Sequence, residues 1–180
     1  MESKKEFCDL YNENRTLLGK VHCRGDALAP GEFIVVAGIW VFNSRNEILL
    51  TKRHPDKKVA PNLWETTGGH AMAGESSIAA AIRELKEEIG IVADESEVHY
   101  IGSVKTPPFF DDDYYIRRDI SITDIVLQDG ETADAKWVTY SEFLNMQGTG
   151  ELAPYVMKFL APMKSEFETA LKKILPPTKP

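Results

Sequence analysis

The sequence predicts an α+β fold in a single domain, and three features predict it. Phe33 to Phe42 reads FIVVAGIWVF, a run of β-branched and aromatic residues that favours a strand. Ile78, Ala81, Ile82, Leu85 and Ile89 repeat at helical spacing. The length, 180 residues, suits one domain with a real core, and neither an internal repeat nor a linker asks for a second. Residues 1–32 read as an arm packed on the core and residues 33–180 as the main domain with a C-terminal helical extension.

In chain order, residues 7 to 31 mix polar and apolar side chains around Asn12-Glu13-Asn14 and Ala29-Pro30-Gly31, the pattern of a short β-hairpin or extended arm. After the strand that begins at Phe33, Asn43-Ser44-Arg45-Asn46 supplies turn chemistry and Glu47 to Arg53 returns as EILLTKR, which predicts a hairpin. Residues 54 to 74 hold His54-Pro55, Pro61-Asn62 and the glycines 68, 69 and 74, a loop able to adopt conformations that a Cβ obstructs. One helix follows over about 76 to 89, with Gly90 placed to end it as a left-handed C-cap. Strands are expected at His99 to Lys105, Tyr115 to Leu127 and Ala135 to Thr139, separated by Pro107-Pro108 and an acidic run; Phe109 to Tyr115, with Asp111-Asp112-Asp113, reads as an exposed loop ahead of a substrate lid or a second cation contact. Met163, Phe167, Leu171 and Ile174 mark a C-terminal helix that starts afresh near Pro162 and packs on the domain or lines a homodimer seam. The tail from Pro176 cannot continue it.

Composition narrows the function. With 28 acidic residues against 21 Lys plus Arg, the formal charge is −7, which argues against a binder of duplex nucleic acid. At 43% hydrophobic and 27% charged, with no long apolar stretch, the chain is neither disordered nor membrane-spanning. Its start, Met1-Glu2-Ser3-Lys4-Lys5-Glu6, has no secretory pattern, and Cys8 and Cys23 make no disulfide framework, so a cytoplasmic protein is expected. His22, His54, His70 and His99 have no spacing typical of a zinc site.

The chemistry concentrates in the predicted helix and the loop before it. At about 100° per residue, Glu84, Glu87 and Glu88 fall within an arc of roughly 100°, away from the apolar stripe. Like charges three or four residues apart each cost about 0.2 to 0.5 kcal/mol, and the C-terminal half of a helix is the wrong end of the macrodipole for carboxylates. A solvated face is the ordinary reading of three such glutamates. The alternative is a compensating cation: oxygen ligands suit Mg²⁺ or Mn²⁺, and magnesium commonly takes a few carboxylates, water and substrate phosphates.

The loop decides between them. Gly69, five residues, Glu75, seven residues, Arg83-Glu84-Leu85, one residue, Glu87-Glu88, one residue and Gly90-Ile91 reproduce every fixed position of the box that defines the Nudix hydrolases. With fixed residue types at roughly 5 to 7% each, a chance match is on the order of 10⁻⁹ per starting point. The chain therefore resembles the Nudix family over this box, and the order of elements from about Phe33 to Phe143 resembles its fold, an α/β/α sandwich with a mixed sheet between helices.

The resemblance implies that Glu84, Glu87 and Glu88 coordinate the divalent ion, with the Gly68 carbonyl as a further ligand. It implies that one carboxylate, Glu87 as first choice, orients or deprotonates the attacking water, while Glu75 pairs with Arg83 to brace the loop, with Gly69 and Gly90 as structural supports. The implied substrate is a small-molecule diphosphate, a nucleoside diphosphate linked to some group X or a related compound. Some relatives place a further acidic group ahead of the late tryptophan-bearing strand, where Glu131 is the first candidate and Asp134 the second. Lys52 and Arg53 end a strand near the box and offer charge to a phosphate.

The stretch from Asp9 through His70 also resembles isopentenyl-diphosphate isomerase, which shifts a double bond. Thr66-Thr67 stand where that family carries a cysteine, and Ala29-Pro30-Gly31-Glu32 offers no histidine, so an isomerase-like Nudix hydrolase is the expectation. A regulatory domain that binds a nucleotide without turnover is the third reading, disfavoured by the intact glutamates. Trp64 reads as packing beneath the glycine loop ahead of stacking on a base.

Overall fold

The computed structural model describes residues 5–173. Ile174 and the proline-rich tail lie outside the described residues. The arm is a separate antiparallel pair, β1 (Phe7–Tyr11) and β2 (Leu17–Cys23). Seven strands form the main sheet: β3 (Ile34–Phe42), β4 (Ile48–Arg53), β5 (Trp64–Glu65), β6 (Thr67–His70), β7 (His99–Thr106), β8 (Phe109–Arg117) and β9 (Thr132–Val138). The helices are α1 (Ser77–Ile89), α2 (Tyr140–Thr149), α3 (Pro154–Leu160) and α4 (Lys164–Lys172). The path through the sheet runs β5-β4-β3-β8-β7, with β6 also paired to β3 and β9 to β4.

β3 is the spine, and its unbroken apolar run has a simple cause: both of its faces are covered. Val35, Ala37, Ile39 and Val41 pack with Leu85 and Ile89 of α1 in one core. Trp40 and Phe42 point the other way, into a second core with Phe143, Leu160 and Phe167 from α2, α3 and α4. The sheet is mixed, since β3 and β8 run parallel over nine residue pairs while β3 with β6 and β7 with β8 run antiparallel. The molecule is an α/β/α sandwich, as expected.

Helix α1 follows its sequence signals. Ser76 caps it by accepting from the Ala79 N–H at 3.3 Å, and Gly90 closes it at φ +72°. Met163, Phe167 and Leu171 are buried in the second core, so the stripe offered for a homodimer seam is spent inside the monomer.

Three expectations change. The glycine loop contains two short strands, β5 and β6, because its glycines allow the chain to lie against β3. The strand expected over Tyr115 to Leu127 begins and ends earlier, at Phe109–Arg117, and the chain then leaves the sheet through a short 3₁₀ turn at Ile122–Asp124. Asp111, Asp112 and Asp113 therefore stand within β8, each at most 4% exposed, and do not form an exposed loop. The C-terminal region holds three helices where one was expected.

Candidate active site: the acidic helix and its glycine loop

The site forms where β6 delivers its glycines against β3 and α1 lies across them. Gly68 pairs with Gly38 and Gly69 with Ala37. A Cβ on Gly68 would sit 2.5 Å from the Ala37 carbonyl oxygen, and one on Gly69 would sit 2.1 Å from Glu84 Oε1. The two glycines let the backbone approach the spine and leave room for a carboxylate above it.

Arg83 is the hub. Its guanidinium makes a two-pronged pair with Glu75, Nε to Oε1 and Nη2 to Oε2, each 3.0 Å. It also donates to the His70 carbonyl at 3.0 Å, to Glu84 Oε1 at 2.8 Å and to Glu87 Oε2 at 3.1 Å. Glu75 in turn accepts from the Met72 N–H at 2.9 Å, so loop and helix are fastened through one cation. These contacts hold the Arg83 guanidinium well above its usual range against the opposing cost of burial. The arm joins the same loop: Gly74 N–H donates to Asp9 at 2.7 Å and Ala73 N–H to the Phe7 carbonyl at 2.8 Å.

The three glutamates differ in setting. Glu87 is about half exposed, with a side chain 46% accessible, whereas that of Glu84 is 13% accessible. Burial pushes the Glu84 carboxyl up and Arg83 opposes the shift. Glu88 is driven up much further, first by burial and then by the charges of Glu65 and Glu84, with the Gly68 backbone amide opposing.

Among the described residues no three acidic or imidazole side chains already converge as a ligand cluster. Glu84 and Glu87 are turned onto Arg83, and Glu88 enters no ion pair. The donors nevertheless fit a hard divalent cation: all are oxygens, and apart from Arg83, which holds Glu84 and Glu87, the neighbouring cations are engaged elsewhere, Arg53 with Glu65 and Lys57 with Glu131. A buried carboxyl among other carboxylates is the setting that such an ion relieves.

The remaining candidates lie at the edge. Glu131 pairs with Lys57, and its charge contributes to raising Glu88. Asp134 pairs in register with Lys52 and caps the Ala135 N–H at 2.8 Å. Arg53 donates to Glu65 at 2.7 Å and to the Val59 carbonyl at 2.9 Å, so its charge is already partnered. Lys52 lies 5.7 Å from the centroid of Trp64, itself buried in the second core, which is the packing role expected of that tryptophan.

Sequence reasoning gave three further residues no role at this site. Glu65 accepts from Arg53 and from the Tyr155 hydroxyl, and its charge acts on Glu88. Asp111 and Asp113, read as loop residues, line a cavity of about 420 Å³ that also touches Gly68, Gly69, Glu65 and Tyr155. The signal for Glu65 is its place between Trp64 and the two threonines ahead of the glycines. Nothing in the acidic run announces its burial. A larger hollow of about 620 Å³ beside the arm, lined by His22, Arg24 and Pro107, touches neither Gly68 nor Gly69, and neither cavity is lined by the α1 glutamates.

Comparison with known proteins agrees with this geometry. The NUDIX domain model matches residues 32–159. Lmo0368 of Listeria monocytogenes, an uncharacterized Nudix hydrolase, is 43% identical over 151 residues, which cover 83% of this chain and 89% of that protein. The crystal structure of DR0079 from Deinococcus radiodurans superposes with a TM-score of 0.72 at 24% identity, covering 82% of this chain and 92% of that one, a likeness of fold. The isopentenyl-diphosphate Δ-isomerase of Streptomyces griseus is 32% identical over only 84 residues, 46% of this chain and 43% of the isomerase. The isomerase branch is thus a side resemblance, and the chain belongs to the Nudix hydrolases, divalent-metal-dependent enzymes that cleave diphosphate linkages in small molecules.

Proposed function

We propose that this chain hydrolyses a nucleoside diphosphate linked to X, or a related diphosphate, with Mg²⁺ or Mn²⁺ held by Glu84, Glu87, Glu88 and the Gly68 carbonyl. The observation that carries the reading is Glu88, a buried carboxyl with no cationic partner, on the same helix as two carboxylates that a single arginine positions. When bound, the metal offsets charge on the diphosphate and lowers the pKa of a coordinated water.

The chain's own residues supply the geometry. Arg83 sets the rotamers of Glu84 and Glu87 and, through Glu75, the height of the glycine loop. Glu87, the most open of the three, is the group that accepts a proton from, or orients, the water attacking phosphorus. Glu131 stands as a secondary acid at the rim, restrained by Lys57. Arg53 and Lys52 act on the substrate only if their present partners release them. The free thiols of Cys8 and Cys23 suit a reducing cytosol.

A panel of nucleoside diphosphate sugars, dinucleotides, nucleoside triphosphates and isoprenoid diphosphates tests the assignment. Metal-dependent release of nucleotide or phosphate is expected. Glu87→Gln should lower turnover at least tenfold, the scale of a lost acid–base group. Turnover equal to wild type would remove Glu87 from the mechanism, and a product of unchanged mass with a shifted double bond would replace hydrolysis by isomerisation.

A further inference from the structure

Strand β8 places three consecutive aspartates in the interior, which is costly unless each charge is met. Their partners differ. Asp112 faces the arm, where Arg15 Nη1 donates to it at 2.7 Å and Nη2 makes a second contact. Asp111 and Asp113 face the opposite side, because side chains alternate along a strand. Asp113 receives only the Trp40 indole N–H, at 3.1 Å, and leans over Gly38, where a Cβ would come within 2.2 Å of its Oδ1. Asp111 is 4% exposed, and its Oδ2 has no hydrogen-bond partner among the described residues.

An unpartnered buried carboxyl oxygen weakens the fold, so its presence asks for another reason. The reason is visible in what it faces. Asp111 and Asp113 line the 420 Å³ cavity whose nearer wall is the glycine loop of the metal-binding helix and whose other walls include Trp40, Tyr155 and Phe159. That volume lies within the range of small-molecule sites. The lining thus brings Gly68 of the proposed metal site, two carboxyls and several aromatic rings to one cavity.

Resting on the hydrolase reading above, we propose that Asp111 and Asp113 are specificity-determining residues that bind group X or the nucleoside through N–H or O–H donors on a ring. Each carboxyl presents an acceptor oxygen to the cavity, which Arg24 and Arg53 also line. A bare hydrocarbon chain would leave Asp111 unpaired and dry, which disfavours isoprenoid diphosphates. The shared chemistry is a donor-bearing ring, and it has two sources: the amino edge of a nucleobase or the hydroxyls of a sugar.

Asp111→Asn keeps the shape and exchanges an acceptor for a donor. With the full chain and Mn²⁺, kcat/KM is measured for cytosine against uracil compounds, adenine against hypoxanthine compounds, and ribose against 2′-deoxyribose compounds at fixed base. An amino edge at the aspartates predicts that the variant shifts the cytosine/uracil or adenine/hypoxanthine ratio at least tenfold toward the carbonyl-bearing base. Sugar hydroxyls there predict the same shift in the ribose/deoxyribose ratio instead. The change should fall on KM more than on kcat, and Asp113→Asn should move the same ratio.

Hydrolysis by both variants with every ratio as in wild type overturns this inference and leaves the metal assignment standing. A uniform loss across all substrates with a lower melting temperature overturns it too, since that is what a structural role gives. If no compound is hydrolysed by wild type, the hydrolase reading fails, and calorimetric binding of the same compounds decides the subsite. Equal affinity for wild type and Asp111→Asn, or none for either, rejects it.

Discussion

Glu88 shows what burying one carboxyl can cost a fold. Burial and the neighbouring carboxylates raise its carboxyl well above the ordinary range, so between the unfolded and folded values the native state binds more protons than the unfolded chain. The stability this linkage gives is fully present below the unfolded carboxylate pKa, about 4.3, and is lost as pH rises through the folded value. Glu88→Gln removes the ionisation and keeps the shape. At pH 8 in chelator the variant should have a higher urea midpoint than wild type, and the gap should close toward pH 5. Added Mg²⁺ or Mn²⁺ should raise the wild-type midpoint more than that of the variant, and the variant's turnover should fall at least tenfold. A variant less stable than wild type at pH 8 would mean that Glu88 is paired in solution. That the three glutamates share one helix face was legible from helix geometry, and it was the box through the glycine loop that singled them out. The burial of Asp111 and Asp113 was not, because a run of acids between a Pro-Pro pair and two tyrosines has the composition of a turn. Only the parallel pairing with β3, a contact more than 70 positions away in sequence, puts it inside.

At the level of elements, the two loop glycines look alike in sequence and differ in what surrounds them. A Cβ on Gly69 meets the far end of the Glu84 side chain, which can swing aside cheaply, whereas a Cβ on Gly68 meets the fixed backbone of β3. Gly69→Ala should therefore leave the melting temperature nearly unchanged while displacing Glu84 and lowering turnover at least tenfold. Gly68→Ala should destabilise by about 1 to 3 kcal/mol, the usual cost of forcing extra volume into a packed site. Thermal melts and turnover measured on both variants check the contrast, and equal stability losses would sink it. Helix α1 was readable end to end because its cap, stripe and terminating glycine agree. Helix α2 escaped notice because it buries only Phe143 and Met146 and so shows little periodicity. Its one clear sequence sign is the reciprocal cap between Thr139 and Glu142. The strands β5 and β6 were hidden for a related reason: pairs and quartets of residues rich in glycine carry no strand propensity, and pairing with β3 and β4 supplies the order that composition withholds.

Across the whole molecule, the arm is tied both to the glycine loop and to strand β8. Asp9 and Phe7 hold Gly74 and Ala73, Tyr11 bridges to Phe33, and Arg15 reaches Asp112 of β8. The last contact differs from an ordinary surface pair in that Asp112 is 4% exposed in its side chain while Arg15 is 36% exposed. Burial alone would push the Asp112 carboxyl up, but hydrogen bonds from Arg15, Ser77 and Ser103 together with the Arg15 charge outweigh it, and the group is held below its usual range. Its stabilising contribution is thus present above the unfolded pKa, about 3.9, and lost as pH falls through the folded value. Removing the arginine strands a buried charge, which for fully buried pairs costs about 3 to 5 kcal/mol. Solvent around Arg15 reduces this to about 1 to 3 kcal/mol. Arg15→Ala should lose that much stability at pH 7, and Arg15→Ala with Asp112→Asn should recover most of it, because the second change removes the charge that the first left unmet. If urea denaturation finds the double variant no more stable than the single one, the damage lies in detachment of the arm instead of in the stranded charge. Turnover separates the two further: a detached arm frees the loop at Ala73 and Gly74 and lowers activity in both variants alike, whereas a stranded charge is relieved in the double variant together with its activity.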